Sequence, residues 1–135
     1  MVRAILIALV LVGLAIGVTL AFTSPPKLLS IADGLAGGGK GAQRMGSGVD
    51  FGEHGQRLDI WAPATKSAAP RPVVVFFHGG GWVKGDRDAY AFAGRAFAAR
   101  GFVVVIPDYR KVPEVRFPAF IEAVSYTHLT LPTKA

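Results

Sequence analysis

Two five-residue segments constrain this chain more than any other feature. Val73-Val74-Val75-Phe76-Phe77 and Phe102-Val103-Val104-Val105-Ile106 are built only from Val, Ile and Phe. β-Branched and aromatic side chains favour extended backbone. A run without polar alternation suits a strand covered on both faces, as in a parallel sheet. A loop from His78 to Arg87 follows the first run, and a helix is expected from Asp88 to about Arg100. Its apolar face is Tyr90, Ala93 and Phe97 with Ala96 beside them. Arg100 complements the negative helix end, and Gly101 is a natural residue just past it. Strand, helix, strand is a βαβ unit, so the two strands should be parallel.

Two short strands are expected ahead of that unit, Val49 to Phe51 and Leu58 to Trp61, joined by a turn over Gly52 to Gln56. Pro63 ends the pair, and Ala64 to Arg71 reads as a surface loop. The fold class is therefore α/β, with two short leading strands followed by βαβ.

A different kind of segment opens the chain. Ala4 to Phe22 is a run of 19 residues without a charge, an amide or a proline. As a helix it would be ~28 Å long, close to the hydrocarbon thickness of a bilayer. Arg3 precedes it and Lys27 is the next charge, which favours an inside amino terminus. One reading is a signal anchor that stays in the membrane through residues 4–22. The other is a signal peptide cleaved after Thr19-Leu20-Ala21. Either takes the rest of the chain out of the cytoplasm. Ser24-Pro25-Pro26 should stop the helix, and the Gly-rich stretch Ala36 to Gly41 marks linker. That stretch lacks the spacing and the preceding strand of a phosphate loop. The organisation expected is a signal anchor or signal peptide over 1–23, a flexible linker over 24–47, an α/β domain over 48–123 and a tail over 124–135.

Composition narrows the chemistry. There is no cysteine, which excludes disulfides, thiolate metal sites and a cysteine nucleophile. The net charge of +6 rests on scattered Lys and Arg, with only Arg110-Lys111 adjacent, so a solvated basic surface is favoured over a nucleic-acid partner. His54, His78 and His128 lack metal-ligand spacing, and no metal is expected.

The loop after the first apolar strand carries the most specific pattern, His78-Gly79-Gly80-Gly81-Trp82. Consecutive glycines let backbone amides turn toward one point. Aimed amides are what the oxyanion of an acyl-transfer intermediate needs.

With Phe76-Phe77 before it, this loop resembles the hormone-sensitive-lipase and carboxylesterase branch of the α/β-hydrolases. Asp108-Tyr109-Arg110, Val112-Pro113-Glu114 and Phe117-Pro118-Ala119 strengthen the resemblance, which covers about Arg57 to Ala123. It implies a Ser–His–acid triad acting on carboxylic esters, small-molecule or lipid, without a cofactor. It also implies that the Gly80 and Gly81 amides face the oxyanion, that Gly79 shapes the turn and that His78 supports the loop. Trp82 either lines an acyl pocket or packs beneath the loop. Asp108, Tyr109 and Arg110 read as structural, Glu114 as a partner for a nearby Arg, and His54 as exposed.

The nucleophile of that branch sits in Gly-x-Ser-x-Gly. None of Ser24, Ser30, Ser47, Ser67 and Ser125 stands in such a motif. In family order the nucleophile, acid and base would all follow this segment. Val124 to Ala135 is Thr-rich, reads as non-helical and resembles translated adapter DNA, so His128 receives no role. The expectation is an N-terminal part of a serine carboxylesterase that carries the oxyanion loop without the triad. The alternative is a noncatalytic membrane-tethered module or a nonfunctional remnant.

Overall fold

The apolar run at the amino terminus becomes helix α1, Val2–Phe22. Its side chains are exposed on every face, and it is long and apolar enough to cross a membrane. The computed structural model describes residues 1–52 and 54–130. Thr23 is extended and breaks α1 from a second helix, α2, Pro25–Leu35. The expectation of a flexible linker over 24–47 is corrected here. Ser24 occupies the N-cap position and the prolines fall in the first turn, where a missing N–H costs nothing. Prolines that end one helix thus start the next. The glycine stretch supplies only the turn after α2, with Gly37, Gly39 and Gly41 at positive φ.

Four strands form one sheet in the order β1-β2-β4-β3 among the described residues. Strand β1 is Ala42–Phe51 and β2 is Gln56–Pro63, an antiparallel hairpin longer than the sequence suggested. Gly46 and Gly48 lie where the register shifts, so β1 bends at bulges that a strict alternation pattern does not reveal. Strand β2 also pairs antiparallel with β4, Val103–Pro107. Strand β3, Val73–Val75, pairs parallel with β4, as the βαβ reading requires. Phe76 extends that ladder by one amide, donating to Val105 O at 2.8 Å.

The crossover is a 3₁₀ turn, Arg87–Tyr90, capped by the Asp86 side chain, followed by helix α3, Ala91–Ala98. The expected continuous helix with a Phe97 face is corrected. The buried positions are Ala89, Ala93, Gly94 and Ala98, whereas Phe97 is exposed and meets Phe102 edge-on. Small residues win this face because Trp61 projects from β2 into it. The core is Trp61, Ala98, Val104 and Ile106, flanked by Ala42, Val74, Phe76, Ala91 and Phe102.

Helix α4, Ala119–Thr130, continues past Ala123. The expected loss of helix at Val124 is therefore corrected: no glycine or proline interrupts the backbone before Pro132. Residues 131–135 and the side chain of His128 lie outside the described part.

Candidate active site

Strands β3 and β4 are parallel, so their carboxyl ends share one edge of the sheet. Ligand sites in such sheets form there. From β3 the chain enters the glycine loop, and from β4 it enters Asp108-Tyr109. The loop is a tight structure. Gly80 O accepts from Val83 N at 3.2 Å and from Lys84 N at 2.9 Å. Gly80 has φ +143°, and a Cβ there would stand 1.8 Å from Lys84 O, so only glycine fits. Gly81 has φ +61° and open space around it. Trp82 also has positive φ, 65°, a strained conformation for a bulky residue. Three contacts hold it: its ring stacks on Phe120 at 4.6 Å and meets Tyr109 edge-on at 5.2 Å, and its carbonyl accepts from Val112 N at 2.9 Å.

The carbonyls of His78, Gly80 and Trp82 accept hydrogen bonds, but the amides of Gly80 and Gly81 are unused. Neither donates to an acceptor among the described residues. Phe77, His78, Gly79, Gly80, Gly81, Trp82 and Tyr109 line a cleft of about 310 Å³. Trp82 both lines this cleft and packs on its neighbours.

His78 is 3% exposed. Its ring lies between Tyr109, stacked at 4.5 Å, and Tyr90 at 5.8 Å. Nδ1 is 3.0 Å from Gly79 O, and Nε2 is 3.5 Å from Asp108 Oδ1. The Tyr109 hydroxyl donates to His78 O at 2.8 Å. Asp108 accepts the Arg87 amide at 3.1 Å and pairs with the Arg87 guanidinium. Burial pushes the Asp108 carboxyl up. The polar contacts of His78 and Arg87, with the Arg87 charge, outweigh that and hold it at about 2. Asp108 is thus an anion that ties the glycine loop to the 3₁₀ turn. Glu114 pairs with Arg110 at 2.8 Å, and His54 is exposed in the hairpin turn.

Sequence reasoning missed the centre of this network, Asp59. It is 1% exposed, bonds Arg87 Nε at 3.1 Å, pairs with Arg44 and accepts Gly48 N at 2.8 Å. Arg44 also reaches Asp88 at 2.9 Å. Asp59 stood in Leu-Asp-Ile-Trp as the polar residue of an alternation. The available signal was that β2 sits between two other strands, where an aspartate needs cationic partners.

A mixed sheet whose parallel strands open into such a loop defines an α/β-hydrolase of the carboxylesterase type. The chain belongs to the BD-FAE family, whose model matches residues 58–127. It is 42% identical over 72 residues to the esterase LipI of Mycobacterium tuberculosis, covering 53% of this chain and 22% of that protein. It is 40% identical over 63 residues to the carboxylesterase NlhH of the same organism, covering 46% of this chain and 19% of NlhH. Among solved structures it resembles an inhibited esterase B from Lactobacillus rhamnosis, with a TM-score of 0.56 at 27% identity, over 65% of this chain and 29% of that one. A thermophilic esterase from Thermogutta terrifontis gives a TM-score of 0.50 at 30% identity, over 66% and 32% of the two chains. The matches thus span about a fifth of the curated relatives' length.

Proposed function

We propose that this chain supplies the oxyanion loop of a membrane-anchored serine carboxylesterase. The observation that carries the reading is the pair of unused amides at Gly80 and Gly81, opening on an apolar-walled cleft at the carboxyl edge of the sheet. Attack on an ester carbonyl develops negative charge on its oxygen. Donors held in place beforehand stabilise that charge, each contributing a factor of ~10²–10³ in rate. His78 and Gly79 hold the loop, and Trp82 forms part of the substrate wall. The substrate is a carboxylic ester, small-molecule or lipid, and the reaction uses no cofactor. The nucleophile, acid and base belong to sequence following this segment, a reading supported by the short span of the match to its relatives. Residues 1–23 are the anchor, with Arg3 on the cytoplasmic side and the hydrolase domain outside.

A fluorophosphonate label on two polypeptides tests this. One is the present chain. The other is the product of the genomic locus read on past the codon of Ala123. The label should appear only on the longer product, at the serine of a Gly-x-Ser-x-Gly, and only that product should hydrolyse p-nitrophenyl acetate above a denatured control. Burst acylation at any serine of the 135-residue chain would overturn the assignment.

A further inference from the structure

Helix α2 is amphipathic in the wrong sense for a soluble domain. A surface helix normally turns its apolar stripe to the core and its polar face to water. Here the polar residues face the protein. Ser30, buried, donates to Ala89 O at 2.8 Å and accepts Phe92 N at 3.1 Å. Asp33 accepts Arg95 Nε at 2.6 Å, and Arg95 Nη2 returns to Ser30 O at 2.6 Å. These bonds fix the helix to the 3₁₀ turn and α3 and set its rotation. The opposite side then carries Ile31, Ala32 and Leu35, with Leu29 at its margin beside Asp33, at 85% exposure for Leu35 and about half for Leu29 and Ile31. With half-buried Leu28 among them, this outward arc holds no charged residue.

We propose that this outward face of α2 lies in the interfacial layer of the bilayer and seats the hydrolase domain against the membrane. The inference rests on the reading of α1 as an anchor. Only Thr23 and Ser24 separate α2 from the end of α1, so α2 begins within a few ångströms of where a spanning helix leaves the hydrocarbon. A helix so placed, with one apolar arc and its polar groups already satisfied by its own domain, loses nothing by leaving water. The membrane would then border the domain on the side of α3, and the ester substrate fitting this arrangement would be one delivered from the lipid surface.

The absence of cysteine makes the test direct. Single cysteines are placed at Leu29, Leu35, Val10 and Ser67 in the full chain, labelled with an environment-sensitive fluorophore and reconstituted in phosphatidylcholine–phosphatidylglycerol vesicles carrying brominated lipids. Shallow brominated lipids should quench the labels at 29 and 35 at least twofold more than the label at Ser67, and deep ones should quench Val10. Labels at 29 and 35 that remain open to aqueous iodide overturn the inference, with the anchor reading surviving if Val10 is quenched. Labels shielded from both iodide and lipid overturn it in favour of a protein segment covering α2. An unquenched Val10 with quenched 29 and 35 overturns the anchor and leaves the interfacial helix standing.

Discussion

Substituting Gly94 by Ala sets two effects of opposite sign against each other. Gly94 lies inside α3, where alanine is favoured over glycine by ~1 kcal/mol. Helix propensity alone therefore predicts stabilisation. The packing predicts the reverse. A Cβ at 94 would stand 2.4 Å from Trp61 Cδ1, 2.6 Å from Nε1 and 2.7 Å from Cγ. Ordinary carbon contacts need ~3.5–4.0 Å, so the indole must retreat by about 1 Å. It has little room. Trp61 is 8% exposed and packs with Ala98, Val104 and Ile106, and the guanidiniums of Arg44 and Arg95 lie 5.4 and 5.8 Å from its ring centre. Overpacking of a tight core costs ~1–3 kcal/mol. After the helix gain is subtracted, a net destabilisation of up to ~2 kcal/mol remains. Hydrogen exchange of the β4 amides, measured on the full chain in detergent, should then accelerate by up to roughly thirtyfold. The control is the same substitution in a Trp61→Leu background. With the indole gone, alanine should become the better residue, giving a coupling of ~2 kcal/mol across the pair. Slower β4 exchange in Gly94→Ala with Trp61 present would refute the packing argument.

Three further outcomes follow from the site. Asp59→Ala strips the shared carboxylate from Arg44 and Arg87 and should cost ~3–5 kcal/mol, read as loss of a cooperative urea transition in Trp fluorescence; a shift under 1 kcal/mol would mean the arginines are solvated in the folded chain. Gly80→Ala forces the loop away from Lys84 O, so the Val83 and Lys84 amides should lose exchange protection while β4 keeps its own; unchanged protection at 83 and 84 would contradict the described turn. Asp108 is held at about 2 against an ordinary 3.8, so the unfolded chain takes up its proton first as pH falls. Its stabilisation, ~1–2 kcal/mol after solvent screening, is complete above pH ~4 and disappears as pH falls toward 2. Asp108→Asn should therefore be less stable than the parent chain at pH 6 and indistinguishable from it at pH 2, as checked by denaturant midpoints at both.

The parts of the fold that sequence made legible are those fixed by local chemistry. The apolar run at Phe102 becomes the buried strand β4, whereas the run at Val73 gives only the three-residue edge strand β3, with Val73 exposed, because no further strand covers it among the described residues. What escaped depends on partners distant in sequence. Asp59 looks like an exposed alternation residue until β4 covers β2 and Arg87 arrives 28 residues later. Small residues in α3 look like a weak face until Trp61 fills the space above Gly94. Residues 24–47 look like linker because Pro and Gly are read as breakers, although proline in a first turn starts a helix as readily as it ends one. Helix α2 is the clearest case: its period is visible, but which side is inward follows from Arg95, 62 residues beyond Asp33.

Under the proposed function, the same distant contacts argue for His78 as a support of the glycine loop and against it as a base. A general base must reach the proton it abstracts within ~2.6–3.2 Å. The His78 ring is sealed between two tyrosines and faces Gly79 O on one nitrogen and Asp108 on the other. Its side chain is fully buried, and Nε2 makes no hydrogen bond within the described residues. The ring instead links the loop backbone to Asp108, Asp108 to Arg87, Arg87 to Asp59, and Asp59 to Arg44 on the edge strand. Oxyanion donors work by being fixed before charge develops, since any reorganisation during reaction subtracts from their effect. A loop of three glycines cannot supply that rigidity from its own side chains. The ionic chain behind it can, and that is what the proposed oxyanion role would require of a loop so flexible in composition.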